Sequence, residues 1–412
     1  MPQHWRVVVL ISLVTGVAYL VRTDVAVAQE RMVPALGITM TAMGAITAWG
    51  FQLPYAVFQI PGGMFGERFG ARVALALALG GCGAASLLTA ALPADGAIVV
   101  LAATRVILGI SQAAVFPVAA MAIQQHVPPT ERVRATAIFI ATSACGAAVA
   151  PLLMAPVMEY FNWRAVFALS SVIAGLTALV WVTFVPRATP QSTTEETSPA
   201  RSAWPELRGL LRDSRLRRLS CAYVLHSAVY FVFLFWFFRY LTEGRGFTIL
   251  ASGIWGSLPS VAGIVLAPLV GLATDRLGRR IGSSHARRRV AVACLLFAAG
   301  FVIAGAVLPS AILAVLALSL SSGCINGAEA PFFTTATAIG GRNSGAAAGV
   351  LNFMGNLGGV MSIWLVPLMS AAWGWNGTLT FWSGACIVAA LLWLTVDSDK
   401  PSAHRPSDAV MV

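Results

Sequence analysis

Apolar residues run through this chain in long unbroken blocks, not at the alternating spacing of half-buried strands. Twelve blocks carry few or no charges: 6–28, 40–66, 73–93, 97–125, 133–158, 163–186, 219–242, 249–274, 289–309, 311–338, 344–371 and 375–397. As a helix rising about 1.5 Å per residue, each is long enough to cross a hydrocarbon core of about 30 Å. A helix also satisfies its own backbone polar groups, which lipid cannot do. The pattern predicts an all-α membrane protein with twelve transmembrane helices. Composition agrees: 58% of the 412 residues are hydrophobic and 10% charged, against about 45–50% and 25% in soluble domains.

Charge sharpens the picture. The net charge is +11, carried almost wholly by arginine, with Lys400 the only lysine. The arginines gather in alternate loops: Arg68 and Arg72, Arg132 and Arg134, a cluster from Arg187 to Arg218, Arg276 to Arg289, and Arg342. The opposite loops hold Arg31, Arg164 and Arg245. This is the positive-inside asymmetry, and it places both termini in the cytoplasm of a cell with the chain in its inner membrane. It accounts for every basic cluster without nucleic acid. Residues 1–28 also have the outline of a cleavable signal peptide, with a basic start and "AVA" before Gln29. Removing them would leave eleven spans and take away the partner of the seventh.

Six cysteines fall inside the predicted spans, at no spacing typical of a disulfide framework or a metal site. The histidines are scattered, and no phosphate-binding loop is present. No cofactor, metal or enzymatic chemistry is expected, and a monomer in the lipid bilayer is.

The chain repeats itself. "GMFGERFGAR" (Gly63–Arg72) and "GLATDRLGRR" (Gly271–Arg280) share Gly-x-x-x-acid-Arg-x-Gly-x-Arg. "SQAAVF" (Ser111–Phe116) echoes "AEAPFF" (Ala328–Phe333), and "FNWRAVF" echoes "WGWNGTLTF". Two six-helix halves follow, 1–186 and 219–397, with a polar linker at 187–218 and a tail at 398–412. The linker is rich in Ser, Thr and Pro, with one amphipathic turn expected near Trp204–Leu211.

The acid-Arg-x-Gly strings resemble the signature of the major facilitator superfamily, over essentially the whole chain. That resemblance implies two pseudo-symmetric bundles around a cavity that opens alternately to each side, with the substrate near the midplane. More narrowly, "LPYAVFQIPGGMFGERFGAR", "RVILGISQAAVFP" and "GVLNFMGNLGGV" are similar to the anion:cation symporters, the branch of hexuronate and galactonate carriers and sialin. In that branch the first helix carries Tyr-x-Asp-Arg, whose arginine binds the substrate carboxylate. Here the string is Tyr19-Leu20-Val21-Arg22, so the arginine is kept and the acid is not. The fourth-helix arginine of the branch matches Arg105. The glutamate that often follows seven residues later is Gln112.

Ionisable residues inside a span are expensive, about 2.5–3.5 kcal/mol at the centre on insertion scales, and tend to be functional. They are Arg22, Asp24, Arg105 and Glu329, with His226 and Arg239 more peripheral. Arg22 and Asp24 point about 200° apart on one helix, so one faces the cavity and the other a neighbouring helix, unless they snorkel to the surface. Arg22 and Arg105 are expected to hold an anion through paired hydrogen bonds; alternatively Arg105 tethers helices. Glu329, the repeat mate of Gln112, and Asp24 are the candidate proton carriers, with a static role as the alternative. Tyr19, Tyr55, Gln59, Tyr230, Asn352 and Asn356 are candidates for substrate hydroxyls or for helix–helix contacts. Glu67, Arg68, Arg72, Arg134, Asp275, Arg276 and Arg280 are expected to gate the cytoplasmic side, the acids capping helices of the opposite half when that side closes. The expected function is proton-coupled uptake of a small organic anion, a carboxylate. An uncoupled facilitator or exchanger, a proton-driven exporter of hydrophobic compounds, and a non-transporting sensor are the alternatives.

Overall fold

The structure, a computed structural model, describes residues 3–93, 97–128, 131–185 and 203–396. The expected tail at 398–412 and residues 187–202 of the expected linker lie outside them. The fold is an all-α bundle. Ten helical runs are long and apolar enough to cross a membrane. Helix 1 is His4–Ala35; helices 4, 5 and 6 are Ala97–His126, Arg134–Tyr160 and Trp163–Phe184; helices 7 to 10 are Ser214–Gly244, Ile249–Ile281, Ser283–Val307 and Ala311–Gly340. The runs Met40–Ala90 and Ser344–Leu394, 51 residues each, would span about 76 Å if straight, more than twice the hydrocarbon core. Both double back.

The turns are at Gly70 (φ 79°) and Gly374 (φ 66°), where only a residue without Cβ is at ease. Neighbours prove the reversal. Before Gly70, Gly50 meets Arg105 and Gly62 meets Ala114; after it, Gly81 meets Ser111 and Thr89 bonds Thr104. The chain thus ascends beside helix 4 and then descends beside it. Helices 2 and 3 are therefore the two limbs at Gly70, and helices 11 and 12 those at Gly374, which makes twelve crossings. The repeated motif does not place its turns alike: the second copy continues as helix through Gly278 and turns at Gly282 (φ 87°).

Local chemistry sets the boundaries. Thr39, Asn162, Asp213, Thr248 and Ser310 each accept a bond from a backbone N–H in the first turn of the helix that follows. Helix 2 begins as an α-helix at Met40–Ala45 and widens to a π-helical stretch, Ile46–Gln52, shortly before Pro54. Proline has no N–H and its ring crowds the carbonyl one turn back, and a widened turn relieves both. An amphipathic helix, Ala203–Arg212, precedes helix 7, where the linker was expected to carry its single turn. Several helices extend beyond the apolar blocks because hydropathy marks only their lipid-embedded part. Large apolar side chains such as Leu77, Val99, Leu179 and Phe297 stand exposed around the bundle, where lipid covers them.

Residues 3–185 and 203–396 meet toward one end only. Gly44 packs against Ile363 and Pro367, Gly253 against Pro151 and Ala155, and Trp49 against Trp364. Among the described residues, every hydrogen bond joining the two stretches lies between that end and the Gln59–Asn352 pair. The arginine-rich loops lie at the other end.

Close helix contact depends on small residues. A Cβ added at Gly146 would collide with the backbone of Gly16, whereas one at Gly300 would meet nothing. Gly146→Leu is expected to lower the thermal midpoint of the purified protein by a few degrees or more (about 2 kcal/mol or more of overpacking), or to prevent its recovery from the membrane. Gly300→Leu is expected to leave it unchanged; size-exclusion profiles and thermal unfolding in detergent check both.

Candidate functional site

Helix 1 presents Arg22 to the junction with helices 2, 7 and 11. The guanidinium is 3% exposed. Nη2 donates to Gln52 Oε1 at 2.8 Å, Nε has no partner, and no carboxylate lies within 4 Å among the described residues. Aromatic rings surround it instead: Cζ is 4.3 Å from the centre of Tyr55, 5.2 Å from Phe51, 5.5 Å from Tyr19 and 5.6 Å from Phe231. Ring faces stabilise a cation by about 0.5–2 kcal/mol each, so the cage holds the charge without neutralising it.

From Arg22 a run of amides crosses between the two stretches. Gln52 Nε2 donates to Asn356 Oδ1 at 2.8 Å, Asn356 Nδ2 to the Asn352 carbonyl at 2.9 Å, and Asn352 Nδ2 to Gln59 Oε1 at 2.6 Å. Tyr19, Tyr55 and Tyr230 lie within electrostatic reach of Arg22, and Tyr19 and Tyr230 also of Glu329. All the polar candidates are therefore brought to one region. Gln52 went unnoticed in the sequence. Its spacing of three and seven residues from Tyr55 and Gln59 puts it on their face and was the available signal.

Glu329 lies on helix 10, its side chain 44% exposed and within electrostatic reach of Tyr19 and Tyr230. Tyr223 donates to Oε1 at 2.5 Å, and His226 Nδ1 is 3.7 Å from Oε2.

Arg105 is placed differently from the expectation of an anion ligand. It is 2% exposed and sits inside the first six helices. Nη2 donates to Thr89 at 3.1 Å, Cζ is 5.1 Å from the Phe167 ring, and its charge acts on Asp24. The helix 4 register turns it away from helices 7 and 11, so it does not join Arg22. Asp24 is fully buried near Ser170, and neither carboxylate oxygen has a hydrogen bond of ordinary length. It does not snorkel, and it does not face Glu329. Gln112 donates to the Ala18 carbonyl at 2.8 Å.

The expected gating residues cluster at the end with the arginine-rich loops. Glu67, Arg68, Arg134, Asp275, Arg276 and Arg280 are exposed, and Glu67 and Asp275 make no ion pair among the described residues. Arg134 lies over Trp5, and Arg72 bonds the Val182 carbonyl at 2.6 Å. The end where the two stretches meet carries a latch of which the sequence singled out only Arg239. Arg239 on helix 7 pairs with Glu30 on helix 1 at 3.4 Å and with Glu243 at 3.0 Å, Thr242 donates to Glu30, and Gln29 donates to the Phe235 carbonyl.

A buried guanidinium at the seam between two sets of transmembrane helices fits a transporter, and the comparisons with known proteins bear that class out. Residues 11–363 match the Major Facilitator Superfamily, and the chain belongs to that family. It is 26% identical to the "Probable galactarate/D-glucarate transporter GudP" of Bacillus subtilis, over 94% of this chain and 90% of that one. It is 27% identical to the D-galactonate transporter of Escherichia coli O6:H1, over 96% of each. These relatives belong to the anion:cation symporter-like branch. Among solved structures, a bacterial homolog to the human lysosomal transporter Spinster, inward-facing and occupied, superposes with a TM-score of 0.79 at 16% identity, covering 96% of this chain and 97% of that one.

The Arg105–Asp24 arrangement predicts a stability effect. Losing one member of a buried charge pair costs about 3–5 kcal/mol. Asp24→Asn and Arg105→Met are each expected to destabilise the protein, and the double variant less than their sum, by about 0.5–3 kcal/mol. Thermal or denaturant unfolding of the three variants measures the coupling.

Proposed function

We propose that this protein carries a small organic anion, a carboxylate, across the inner membrane by alternating access, coupled to proton uptake, with both termini cytoplasmic. The observation that carries this is Arg22, a buried guanidinium with no acid beside it. An uncompensated buried charge is costly, and an arriving carboxylate relieves that cost through two parallel bonds. Gln52 stands where the carboxylate would bind: its amide oxygen accepts the Nη2 proton at 2.8 Å. Tyr19, Tyr55, Tyr230, Gln59, Asn352 and Asn356 then bond substrate hydroxyls, as the sugar-acid names of the relatives suggest.

Displacing Gln52 also loosens its bond to Asn356, one link between the two stretches. In this reading residues 1–186 and 219–397 move as two bundles, and the conformation is the cytoplasm-open one. Glu30–Arg239 holds the outer side shut, while Glu67 and Asp275 wait for partners on the opposite half, as two-state gating requires. Proton coupling follows from sharing a cavity. An ionised Glu329 repels an anion at Arg22 and a neutral one does not, so proton and anion favour each other's binding.

Thermal-shift measurements with D-galactonate, galactarate and hexuronates test the reading. One of them is expected to raise the midpoint; saturation at one hundred times Kd gives about 2.7 kcal/mol. The effect is expected to vanish in Arg22→Ala, to survive in Arg105→Met, and in wild type to strengthen as pH falls. Stabilisation by apolar cations, with none by carboxylates, would contradict the proposal.

A further inference from the structure

His226 takes part in nothing described above except its approach to Glu329. Its ring is 1% exposed, stacked on Tyr223 with centroids 5.3 Å apart and tilted against Phe332. Nε2 is 2.8 Å from the carbonyl of Ile325. A carbonyl only accepts, so Nε2 carries a hydrogen. That leaves Nδ1, which has no hydrogen-bond partner and faces Glu329 Oε2 at 3.7 Å. With Nδ1 bare and the carboxylate ionised, two lone pairs oppose each other in a buried gap. One proton removes the conflict from either side: on Nδ1 it makes an imidazolium–carboxylate pair, and on Oε2 a carboxyl facing a bare nitrogen. A second proton would leave a buried imidazolium facing a neutral carboxyl, without a counter-charge.

We propose that His226 and Glu329 together form a single-proton binding site on helices 7 and 10, and that this pair, and not Asp24, is the coupling site of the carrier. The proposal rests on the proton-coupled reading above and locates its proton. Glu329 is the half that water reaches, so the proton arrives at the carboxyl and is shared inward with the ring. Tyr223 donates to Oε1 and holds the carboxylate after the proton leaves. The other titratable or charged groups acting on the pair from the surrounding helices are Tyr230 on helix 7 and Tyr19 on helix 1, with Arg22 beyond them. Both members belong to the second six helices, so the site travels with one side of the cavity whichever end is open.

The test needs no substrate. The chain has five histidines, and ¹⁵N-histidine spectra of the full-length protein in nanodiscs, compared with His226→Gln, identify the ring. The ring is expected to show hydrogen on Nε2 at every pH and to gain its second proton on Nδ1. In Glu329→Gln that gain is expected to weaken at least tenfold, a shift of one pH unit or more. Tyr223→Phe, which keeps the packing, is expected to strengthen proton binding by the pair, since a hydroxyl that stabilised the ionised carboxylate is gone. Hydrogen on Nδ1 with Nε2 bare, or a ring indifferent to both variants, overturns the proposal. In liposomes an imposed pH gradient separates the two readings. No gradient-driven uptake of D-galactonate, galactarate or hexuronate by wild type, with the ring still coupled to Glu329, sinks the transport reading and leaves the proton site standing. Uptake driven as well in His226→Gln and Glu329→Gln as in wild type sinks the pair as the coupling site and leaves transport standing.

Discussion

A cation buried without a counter-charge organises this molecule. Arg22 sits at 3% exposure with one amide oxygen, four aromatic rings and no carboxylate. A fold that only needed stability would have placed an acid beside it or an apolar residue in its stead. The surroundings instead hold the charge in tension. Ring faces moderate it, Gln52 occupies one side of the fork, and Nε stays open. Each holds a guanidinium more weakly than a carboxylate does.

The contrast with Arg105 shows what makes the difference. Both guanidiniums are almost wholly buried. Arg105 has an acid of its own helical set, Asp24, acting on it, and a hydroxyl, Thr89, holding it. All three lie inside the first six helices, where nothing has to separate during a transport cycle. Arg22 faces the seam between two groups of helices, and its amide partners continue across that seam through Asn356 and Asn352 to Gln59. Arg105 bonds within one set of helices, and Arg22 sits at the seam between two.

The spans, the repeat, the family and the short roster of charged residues were all legible in the sequence, because lipid enforces long apolar blocks and makes every buried charge conspicuous. Helix rotation was not. Arg105 and Arg22 look alike in a hydropathy reading, and only the register of helix 4 against helices 3 and 6 turns one inward. The 200° separation of Arg22 and Asp24 was readable, and it does send them to different surroundings. Which surroundings depended on packing of residues far apart in the chain. The Glu30–Arg239 latch was hidden for another reason. Both residues lie at helix ends, where charge is ordinary and solvation is the default, and their pairing spans 209 positions. Gln52, neutral and unremarked, lay on the same face as Tyr55 and Gln59.

In the function proposed above, opposite charges on opposite walls are what would couple two solutes without any direct contact between them. Arg22 belongs to helix 1 and Glu329 to helix 10, and Tyr230 lies within electrostatic reach of both. With both walls charged and no solute bound, the cavity is neutral overall and offers an anion little net attraction. Neutralising the Glu329 wall leaves Arg22 to act alone, and in a medium of low dielectric that difference is felt over distances water would screen. Linkage is reciprocal, so in that proposal an anion at Arg22 and a proton at Glu329 favour each other equally. Linkage of this kind needs only that both sites stay in one poorly screened volume through the conformational change, a condition that the cross-seam amides and the aromatic cage serve by excluding water around Arg22.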